Sequence, residues 1–439
     1  MKRPRHRHQP LVIPAEAAHS ERLVQYADDG SVSFRHPALA EAVGSEQISI
    51  APSQQFPCVF ATFMDLSKAL SSNANSPRLE SGSSLREEFD REFARYRELV
   101  ARCRSEGRWE PDYGSYVLDP ASRRLYLVAP EYWHRLALTT SAGGLLLDPE
   151  RKLHWRQVRQ RLERAVVGVV GVSVGSNVVE ALCRELRPRQ LKLADPDCVE
   201  LTNLNRLERV GFNDLVAPRS ARRDARNAFE MIRCNKAELT AHRQNLVDPY
   251  AEFFVYPTGV DEQNIDRFLL GDGGEPKLDL VVEEADDISL KVSLRRRCRE
   301  LGIPVLMMSD FGHVVASHFQ DFARDPKLPI AYASDDTECQ SSLERCLTTG
   351  NRDDLFDFVH RFVGSDCMRD EFAQWIAGEG EQPTSSLPQS GATAMVAGGL
   401  AGKLVARYFL GHPLPPRAIH DLAQHSLEVD AQRRSVHVG

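Results

Sequence analysis

Five short apolar runs alternate with helical segments between Ala165 and Met308, and this alternation constrains the fold more than any other feature of the chain. Their near-continuous hydrophobicity predicts strands that are buried on both faces, which is typical of a parallel sheet covered by helices. We therefore predict an α/β fold with a doubly wound, mostly parallel sheet. The runs are Ala165–Gly171, Gln190–Asp195, Phe253–Tyr256, Asp279–Glu283 and Pro304–Met308.

Helical periodicity fills the intervals between these strands. Past Ser309 the regularity fades until a Gly- and Ala-rich helix over Ser390–Leu410, which Pro413 and the residues after it end. We expect the last residues to return to the sheet as a strand. The other predicted helices are Ser176–Leu186, Ala221–Arg233, Lys236–Val247, Glu262–Leu270 and Ser289–Leu301.

The first 150 residues lack this alternation and are predicted to form separate parts. Residues 1–52 contain Pro and Ser with little periodicity, which predicts an irregular N-terminal arm. Residues 53–150 predict a smaller α+β N-terminal lobe, with an amphipathic helix over Leu85–Arg104 and a hairpin over Tyr113–Val128. Residues 151–439 then form the α/β domain.

The composition excludes several classes of protein. With 55 Lys and Arg against 62 Asp and Glu, the formal charge is −7, so a broad nucleic-acid-binding surface is not expected. No stretch approaches 18 consecutive apolar residues, which predicts no membrane span, and no apolar run follows the basic N-terminus as in a secretory signal. The nine cysteines include no CxxC pair, which favours a reducing cytoplasmic location.

A glycine-containing loop joins the first predicted strand to the next helix. In Gly171-Val-Ser173-Val-Gly175-Ser176, glycine permits a tight turn and a close backbone approach to a phosphate. The helix that follows offers free N–H groups to an anion. Asp195 ends the second strand, where a carboxylate can bind ribose hydroxyls. This pattern fits ATP, NAD and FAD equally well.

Polar residues continue beyond the second strand and beside the loop. The segment contains Asp195, Asp197, Val199, Asn203, Leu204 and Arg206. Arg206 is suited to forked hydrogen bonds with phosphate oxygens, and Lys236 opens a later helix from which it can reach the same phosphates. Asp286 follows the fourth strand, at a strand end where an α/β sheet binds ligands and where a carboxylate suits Mg²⁺.

The order of these residues resembles the ThiF/MoeB superfamily, whose adenylating fold is shared with ubiquitin-activating enzymes. The block from Asp195 to Arg206 is the most specific part, and Lys236 through Asp248-Pro249 fits the lysine helix of that superfamily. The chain is also similar to a bacterial ThiF-like subgroup that is often fused to a nitroreductase-like domain. The resemblance covers roughly residues 110–415.

The resemblance implies an ATP- and Mg²⁺-dependent adenylyltransferase that activates a carboxylate of a protein, a peptide or a small molecule. The implied catalytic residues are Arg206, Lys236 and Asp286, and Asp286 is also the implied metal ligand. The implied nucleotide-binding residues are Gly171, Ser173, Gly175, Ser176, Asp195, Asp197 and Asn203. The resemblance also implies a homodimer.

Some departures from the superfamily pattern keep alternatives open. The loop is one residue shorter and carries Ser173 in place of glycine, Arg223 competes with Lys236 for the lysine position, and no arginine lies between Arg135 and Arg151, where related enzymes carry one. The second hypothesis is therefore a catalytically idle ThiF-like module that binds nucleotide or a protein. A third is an NAD-dependent oxidoreductase.

Some members of the superfamily transfer the acyl group to a cysteine after the fifth strand. Cys339, Cys346 and Cys367 lie in that part of the chain. The polar run around Cys339 predicts exposure, which a reactive thiol requires. Cys339 is thus the candidate acyl acceptor.

Overall fold

The residues that can be described divide into two compact units. The computed structural model describes residues 10–71, 81–106, 113–120, 122–141, 155–218, 229–231, 234–364 and 389–422. The sheet unit comprises residues 159–241 and those from 252 onward, and the N-terminal unit comprises the residues up to 158 together with residues 242–251.

The described residues up to Ser141 in the N-terminal unit form two small sheets and five helices. The predicted hairpin and the predicted amphipathic helix are both confirmed, the latter capped by Ser84, which accepts a hydrogen bond from the Glu87 amide at 3.2 Å. One sheet has the order β1 (Leu11–Pro14), β6 (Ser115–Asp119), β7 (Arg124–Val128), β5 (Gln55–Pro57), and the other has the order β2 (Val24–Tyr26), β3 (Val32–Arg35), β4 (Gln47–Ile50). The helices are α1 (Ala15–Ser20), α2 (Ala38–Val43), α3 (Cys58–Ser71), α4 (Leu85–Ser105) and α5 (Glu131–Ser141).

The prediction of an irregular arm over residues 1–52 is wrong for the described residues of that range. Strands β1 to β4 lie there, and their inward side chains, among them Val32, Phe34, Ile48 and Ile50, are buried. Each strand has only three or four residues, so its alternation covers two buried positions at most. A pattern that short does not rise above chance in a sequence, whereas pairing with a neighbouring strand fixes it.

The boundary predicted at residue 151 also needs correction. The sheet unit begins at Arg159, inside helix α6 (Trp155–Arg164), and residues 242–251 belong to the N-terminal unit. Within that unit the buried Arg135 donates from Nε to Oδ2 of Asp248 at 2.9 Å, and the Tyr250 hydroxyl donates to the Ala129 carbonyl at 2.6 Å. These contacts join segments that are more than 100 residues apart, which no local pattern predicts.

The sheet unit is built on seven strands. The first five in spatial order are mutually parallel, the sixth is antiparallel to the fifth, and the seventh is antiparallel to the sixth. This confirms both the mostly parallel sheet and the final return strand. The sequence did not indicate β15, which pairs with the strand before it as a hairpin. The order is β12 (Glu252–Tyr256), β9 (Gln190–Ala194), β8 (Val166–Val170), β13 (Leu280–Glu283), β14 (Val305–Phe311), β15 (Val314–Gln320), β16 (Arg417–Asp421).

Helices cover both faces of this sheet. Val166 and Val170 point to one face, where they join a core with Phe268 and Leu294. Val169 points to the opposite face, against the first turn of the helix that follows the loop. The sheet is therefore doubly wound, as predicted. Besides α6, the helices are α7 (Gly175–Glu185), α8 (Lys236–Asn245), α9 (Ile265–Leu270), α10 (Ile288–Leu301), α11 (Asp336–Thr349), α12 (Arg352–Val363) and α13 (Gly391–Phe409).

The helix predicted over Ala221–Arg233 is wrong for residues 229–231. Phe229–Met231 forms β11, which pairs antiparallel with β10 (Val216–Pro218). The other residues of that prediction, including the rival Arg223, lie outside the described residues.

The strand order places a crevice at the carboxyl edge of the sheet. From β8 the chain passes outward to β9 and β12, and it then returns to β13 and β14 on the other side of β8. The connections that leave β8 and β13 therefore diverge between these two neighbouring strands. Such a reversal is where an open α/β sheet binds its ligands.

Two findings bear on the predictions made from composition, one on the cysteines and one on membrane-spanning helices. The eight cysteines in the described ranges all carry free thiols. Among the helices of those ranges, none combines the length and apolar character that a membrane crossing requires.

Candidate functional site

The loop between β8 and α7 lies against the ends of both neighbouring strands. Gly171 has φ +85°, and a β-carbon there would lie 2.4 Å from the Glu284 carbonyl oxygen, so only glycine fits. The Gly171 amide also donates to the carbonyl of Ala194, at the end of β9, at 2.9 Å. The loop is thus fixed against the end of β9 and against the residue that follows β13.

Asp195 lies beneath this loop and holds it in place. Its Oδ2 accepts from the Val172 amide at 2.6 Å, and its Oδ1 accepts from the Asp197 amide at 2.8 Å. Burial raises the pKa of Asp195 above its usual range, and the nearby Lys236 opposes this rise. The structure therefore gives Asp195 a loop-supporting role beside the predicted ribose contact, which remains a prediction.

Lys236 begins α8 and points its charge toward the end of β9. Its Nζ contacts Oδ2 of Asp197 at 2.8 Å, and its backbone amide donates to the Asp197 carbonyl at 2.9 Å. The lysine side chain is 8% exposed, whereas that of Asp197 is 66% exposed. Asp197 is therefore a solvent-accessible carboxylate that orients a mostly buried ammonium.

Arg206 lies on the other side of the loop. Its Nε donates to the Ser173 hydroxyl at 3.0 Å, and one Nη donates to the Thr202 carbonyl at 2.8 Å. Ser173 stands where the superfamily pattern has glycine, and it supplies the contact that joins this arginine to the loop. The side-chain amide of Asn177 on α7 donates to the Arg206 carbonyl at 2.7 Å, which fixes the backbone as well.

Asn203 and Ser176 are used within the framework of the site. The Asn203 Oδ1 accepts from the Glu200 amide at 2.8 Å, inside the short turn that carries both residues, and Asn203 is buried. The Ser176 hydroxyl donates to the Ser173 carbonyl at 2.8 Å and accepts from the Glu208 amide at 2.9 Å. The phosphate or ribose contact predicted for Asn203 remains a prediction, since its side-chain oxygen already has a local partner.

Three carboxylates lie near the crevice, and the sequence predicted a role for only one of them. Asp286 is exposed. Glu284 Oε1 and Asp310 Oδ2 are shielded from solvent and have no hydrogen-bond partner among the residues that the structure describes. Burial raises the pKa of Asp310 to about 7, with a further rise from Asp286, whereas Arg206 and Lys291 lower it. Burial also raises the pKa of Glu284 well above its usual range, and Asp310 adds to this rise.

The signals for Glu284 and Asp310 were present but weak in the sequence. Glu284 stands within the acidic run that contains Asp286, and Asp310 follows the fifth predicted strand by two residues. An acidic residue after a strand is more often an exposed loop residue than a site residue. Asp310 belongs with the carboxylates of Glu284 and Asp286 because β14 extends to Phe311.

The ThiF family matches residues 150–437 of the chain. The chain belongs to the ThiF family. A mycobacterial relative, the uncharacterized protein MT1398 of Mycobacterium tuberculosis (strain CDC 1551 / Oshkosh), is 33% identical over 203 residues, which are 45% of this chain. The chain covers 24% of that relative, about a quarter of its length.

Solved structures of other proteins resemble the chain more distantly. E. coli MccB is 12% identical with a TM-score of 0.40, and the match covers 93% of each chain. E. coli tRNA N6-threonylcarbamoyladenosine dehydratase, TcdA, is 19% identical with a TM-score of 0.35, over 58% of this chain and 89% of TcdA. The assignment to the ThiF family therefore rests on the sequence match over residues 150–437.

The carboxylates of this ThiF-family site suit a hard cation such as Mg²⁺. The preferred ligands of Mg²⁺ are oxygen atoms. Two buried carboxylate oxygens of this site have no hydrogen-bond partner within the described residues. Within the described ranges, no three His, Cys, Asp or Glu side chains are grouped closely enough to form a complete metal site. Mg²⁺ is usually held by one or two carboxylates together with substrate phosphates and water, so the donor set fits that mode.

The predicted exposure of Cys339 is wrong. Cys339 is fully buried on α11, in a core that includes Leu343 and Phe358, and burial raises the pKa of its thiol to about 11. Cys339 lies on a helix with many polar residues, but the buried face of that helix carries Cys339, Ser342, Leu343 and Cys346. A thiol of this kind is poorly suited to accept an acyl group.

Proposed function

We propose that this ThiF-family protein is an ATP- and Mg²⁺-dependent adenylyltransferase that activates a carboxylate. The observation that carries the proposal is an unbroken set of contacts around one loop. Arg206 contacts Ser173, Asp195 contacts Val172 and Asp197, and Lys236 contacts Asp197. Two cations are thereby held at the two sides of a backbone turn that opens a helix at the switch point of the sheet.

The reaction that suits this set of groups needs no general base. A carboxylate is ionised at neutral pH, because its pKa is about 4. One of its oxygens forms a bond to the α-phosphorus of ATP, and the bond from that phosphorus to the oxygen bridging to the β-phosphate breaks, so that pyrophosphate leaves with the electron pair. Arg206 and Lys236 would offset the negative charge on the phosphate oxygens, and the loop amides would orient them.

A divalent cation follows from the same electrostatics. A triphosphate brings negative charge to the loop, and Glu284, Asp286 and Asp310 offer carboxyl oxygens beside it, with burial favouring the protonated form of Glu284 and Asp310. Asp286 would hold Mg²⁺, with Glu284 and Asp310 as the flanking carboxyl groups. When bound, Mg²⁺ would offset the phosphate charge and favour the ionised form of these carboxyl groups.

The first test is binding of ATP·Mg²⁺ and of NAD⁺ to the purified protein, measured by calorimetry. We expect ATP·Mg²⁺ to bind and Arg206→Ala to weaken it by about 10- to 100-fold, because a charge-assisted contact with phosphate is lost. Arg209→Ala is the matched control, since Arg209 lies three residues away and pairs with Glu180 and Glu208. Equal effects of the two substitutions, or tighter binding of NAD⁺ than of ATP, would contradict the assignment.

Catalysis is tested by exchange of labelled pyrophosphate into ATP in the presence of free amino acids, peptides or small carboxylic acids. We expect exchange with one class of acid and its loss in Asp286→Ala. ATP binding without exchange in any class would favour the nucleotide-binding module instead. The homodimer, the cytoplasmic location and the identity of the carboxylate stay predictions.

A further inference from the structure

Asn235 immediately precedes Lys236 and is buried at the junction of three segments. Its residue-level exposure is 8%, although it lies at the carboxyl edge of the sheet, beside exposed polar residues. The ThiF-like pattern assigns it no role. Its side chain nevertheless uses both its donor and its acceptor groups.

The amide nitrogen joins the ends of two strands. Nδ2 donates to the Asp195 carbonyl at 2.7 Å, to the Asp197 carbonyl at 3.2 Å and to the Pro257 carbonyl at 3.1 Å. The first two carbonyls follow β9, and the third follows β12. One side chain therefore fixes the connection that carries Asp195 and Asp197 against the neighbouring strand end.

The amide oxygen caps the helix that carries the lysine. Oδ1 accepts from the Ala237 amide at 3.0 Å and from the Glu238 amide at 3.1 Å, which is the arrangement of an N-cap residue. The backbone adds an isolated bridge between Cys198 and Asn235. The first turn of α8 is thus attached directly to the Asp195–Asp197 connection.

We propose that Asn235 is the positioning residue that sets Lys236 against Asp197 at the phosphate side of the loop. The inference rests on the proposed adenylyltransferase function. Asn235 does not contact the loop itself, so we infer that its influence on a nucleotide passes through Lys236. The contact between Lys236 Nζ and Asp197 Oδ2 at 2.8 Å is the geometry that it sets.

The choice of an amide follows from the inventory of hydrogen bonds. The site requires two N–H donors on one side and one acceptor on the other, within the reach of a single methylene. A serine would keep an acceptor for the cap and lose the donors to the carbonyls. An aspartate would keep the cap. It would also place a negatively charged carboxylate oxygen about 3 Å from three carbonyl oxygens, which would repel it.

A double-mutant cycle separates positioning from general stability. We expect Asn235→Ser to weaken ATP·Mg²⁺ binding by about 10-fold, because displacing a charged group from its productive position costs one to two orders of magnitude. In the Lys236→Ala background the same substitution should change the affinity by less than about twofold, since the residue it positions is gone. Asn235→Asp, which keeps the cap, should also weaken binding.

Asn245→Ser is the matched control for stability. Asn245 is buried at the far end of the same helix and donates to the Ala251 carbonyl at 2.8 Å. Its substitution should lower the midpoint of unfolding while leaving the ATP affinity within about twofold. A 10-fold weakening by Asn235→Ser that persists in the Lys236→Ala background would overturn the positioning role.

A second readout does not involve ATP. The rate at which an amine-acylating reagent modifies Lys236, measured by peptide mass spectrometry, should rise in Asn235→Ser, because the ammonium is then less firmly held against Asp197. An unchanged rate would overturn the inference whatever the outcome with ATP. Absence of ATP binding by the unsubstituted protein, combined with the expected rise in acylation, would instead refute the proposed function alone.

Discussion

Glu283 and Glu284 are consecutive residues at the end of β13, and their surroundings differ sharply. Glu283 is fully buried and has three partners: the Lys291 ammonium at 2.6 Å, the Arg295 guanidinium at 3.5 Å and the Ala285 amide at 2.9 Å. Glu284 has a shielded oxygen without a partner. Successive residues of a strand point to opposite faces, so one carboxylate reaches the helices and the other reaches the crevice.

The difference separates a structural charge from a charge that is available to a ligand. Arg295, the partner of Glu283, also donates to the Ile330 carbonyl at 2.9 Å and lies 4.2 Å from the centroid of the Phe362 ring. The charges of Glu283, Lys291 and Arg295 therefore contact one another or other groups of the folded chain. On the other side of the strand, burial favours the protonated form of Glu284 and Asp310, and neither shielded oxygen has a direct partner among the described residues. Both carboxyl groups therefore remain available to a cation that would displace their protons.

The largest expected effect comes from removal of the structural carboxylate. Glu283→Ala leaves Arg295 and Lys291 without their partner, so the free energy of unfolding should fall by about 3–5 kcal/mol. Urea unfolding measures the change. Glu284→Gln is the control and should not lower the free energy of unfolding, since no partner is removed. Equal decreases in the two variants would contradict the structural difference between Glu283 and Glu284.

The next effect concerns the dependence of ATP affinity on Mg²⁺. In Glu284→Gln, ATP without metal should bind about equally well, because a neutral amide replaces a carboxyl group that burial keeps protonated. ATP·Mg²⁺ should bind less tightly, because the amide cannot ionise to hold the cation, so that the effect of Mg²⁺ shrinks by about 10-fold. Calorimetry with and without Mg²⁺ measures both affinities. Asp287→Asn, which keeps the cap on α10, is the control with a neighbouring charge removed. An unchanged Mg²⁺ dependence in Glu284→Gln would remove this residue from the site.

A smaller effect is expected in the pH dependence of stability. Because the folded protein raises the pKa of Asp310 from 3.8 to about 7, it binds this proton more tightly than the unfolded chain does. The contribution of Asp310 to stability therefore falls as the pH rises from about 4 to about 7, by at most about 1.4 kcal/mol per pH unit.

Asp310→Asn should remove this fall. The difference in unfolding free energy between the two proteins, measured by urea at pH 4.5, 5.5, 6.5 and 7.5, should grow in favour of the variant up to about pH 7 and then level off. Parallel curves for the two proteins would show that Asp310 titrates normally.

The smallest effect is expected at Cys339. Replacing this buried thiol with serine should lower the free energy of unfolding by about 1 kcal/mol and leave ATP·Mg²⁺ affinity unchanged, because the residue lies in the core of α11 and α12. Modification of Cys339 by a thiol reagent, followed by peptide mass spectrometry, should require unfolding. Rapid modification of the folded protein would revive its role as an acyl acceptor.

Much of the sheet unit was predictable, because its strands are buried on both faces and its helices are long. The five parallel strands, the long helix that begins near Ser390 and the final strand all follow from apolar runs and turn residues. Strands β1 to β4, β10, β11 and β15 were not predicted. They are short or paired through hairpins, so their stability comes from neighbours and not from a periodic pattern.

The candidate site divides in the same way. The sequence indicated the loop, Arg206, Lys236 and Asp286, because their residue types and order are informative. It did not indicate the contact between Ser173 and Arg206, nor the amide of Asn235. Both depend on segments that meet only after the sheet has formed, and neither residue type is unusual in a loop.

The amino-acid sequence alone was enough to predict the α/β class, the position of the phosphate-type loop and the residues from which a nucleotide site can be built. Hydrophobic runs and glycine act locally, so their consequences can be deduced without knowledge of the rest of the chain. Which charges have partners depends on the tertiary structure. Whether Glu283, Glu284 or Cys339 is paired, unpaired or buried depends on elements that are distant in the sequence, and the energy of a charge or a thiol is set by those neighbours and by its access to water.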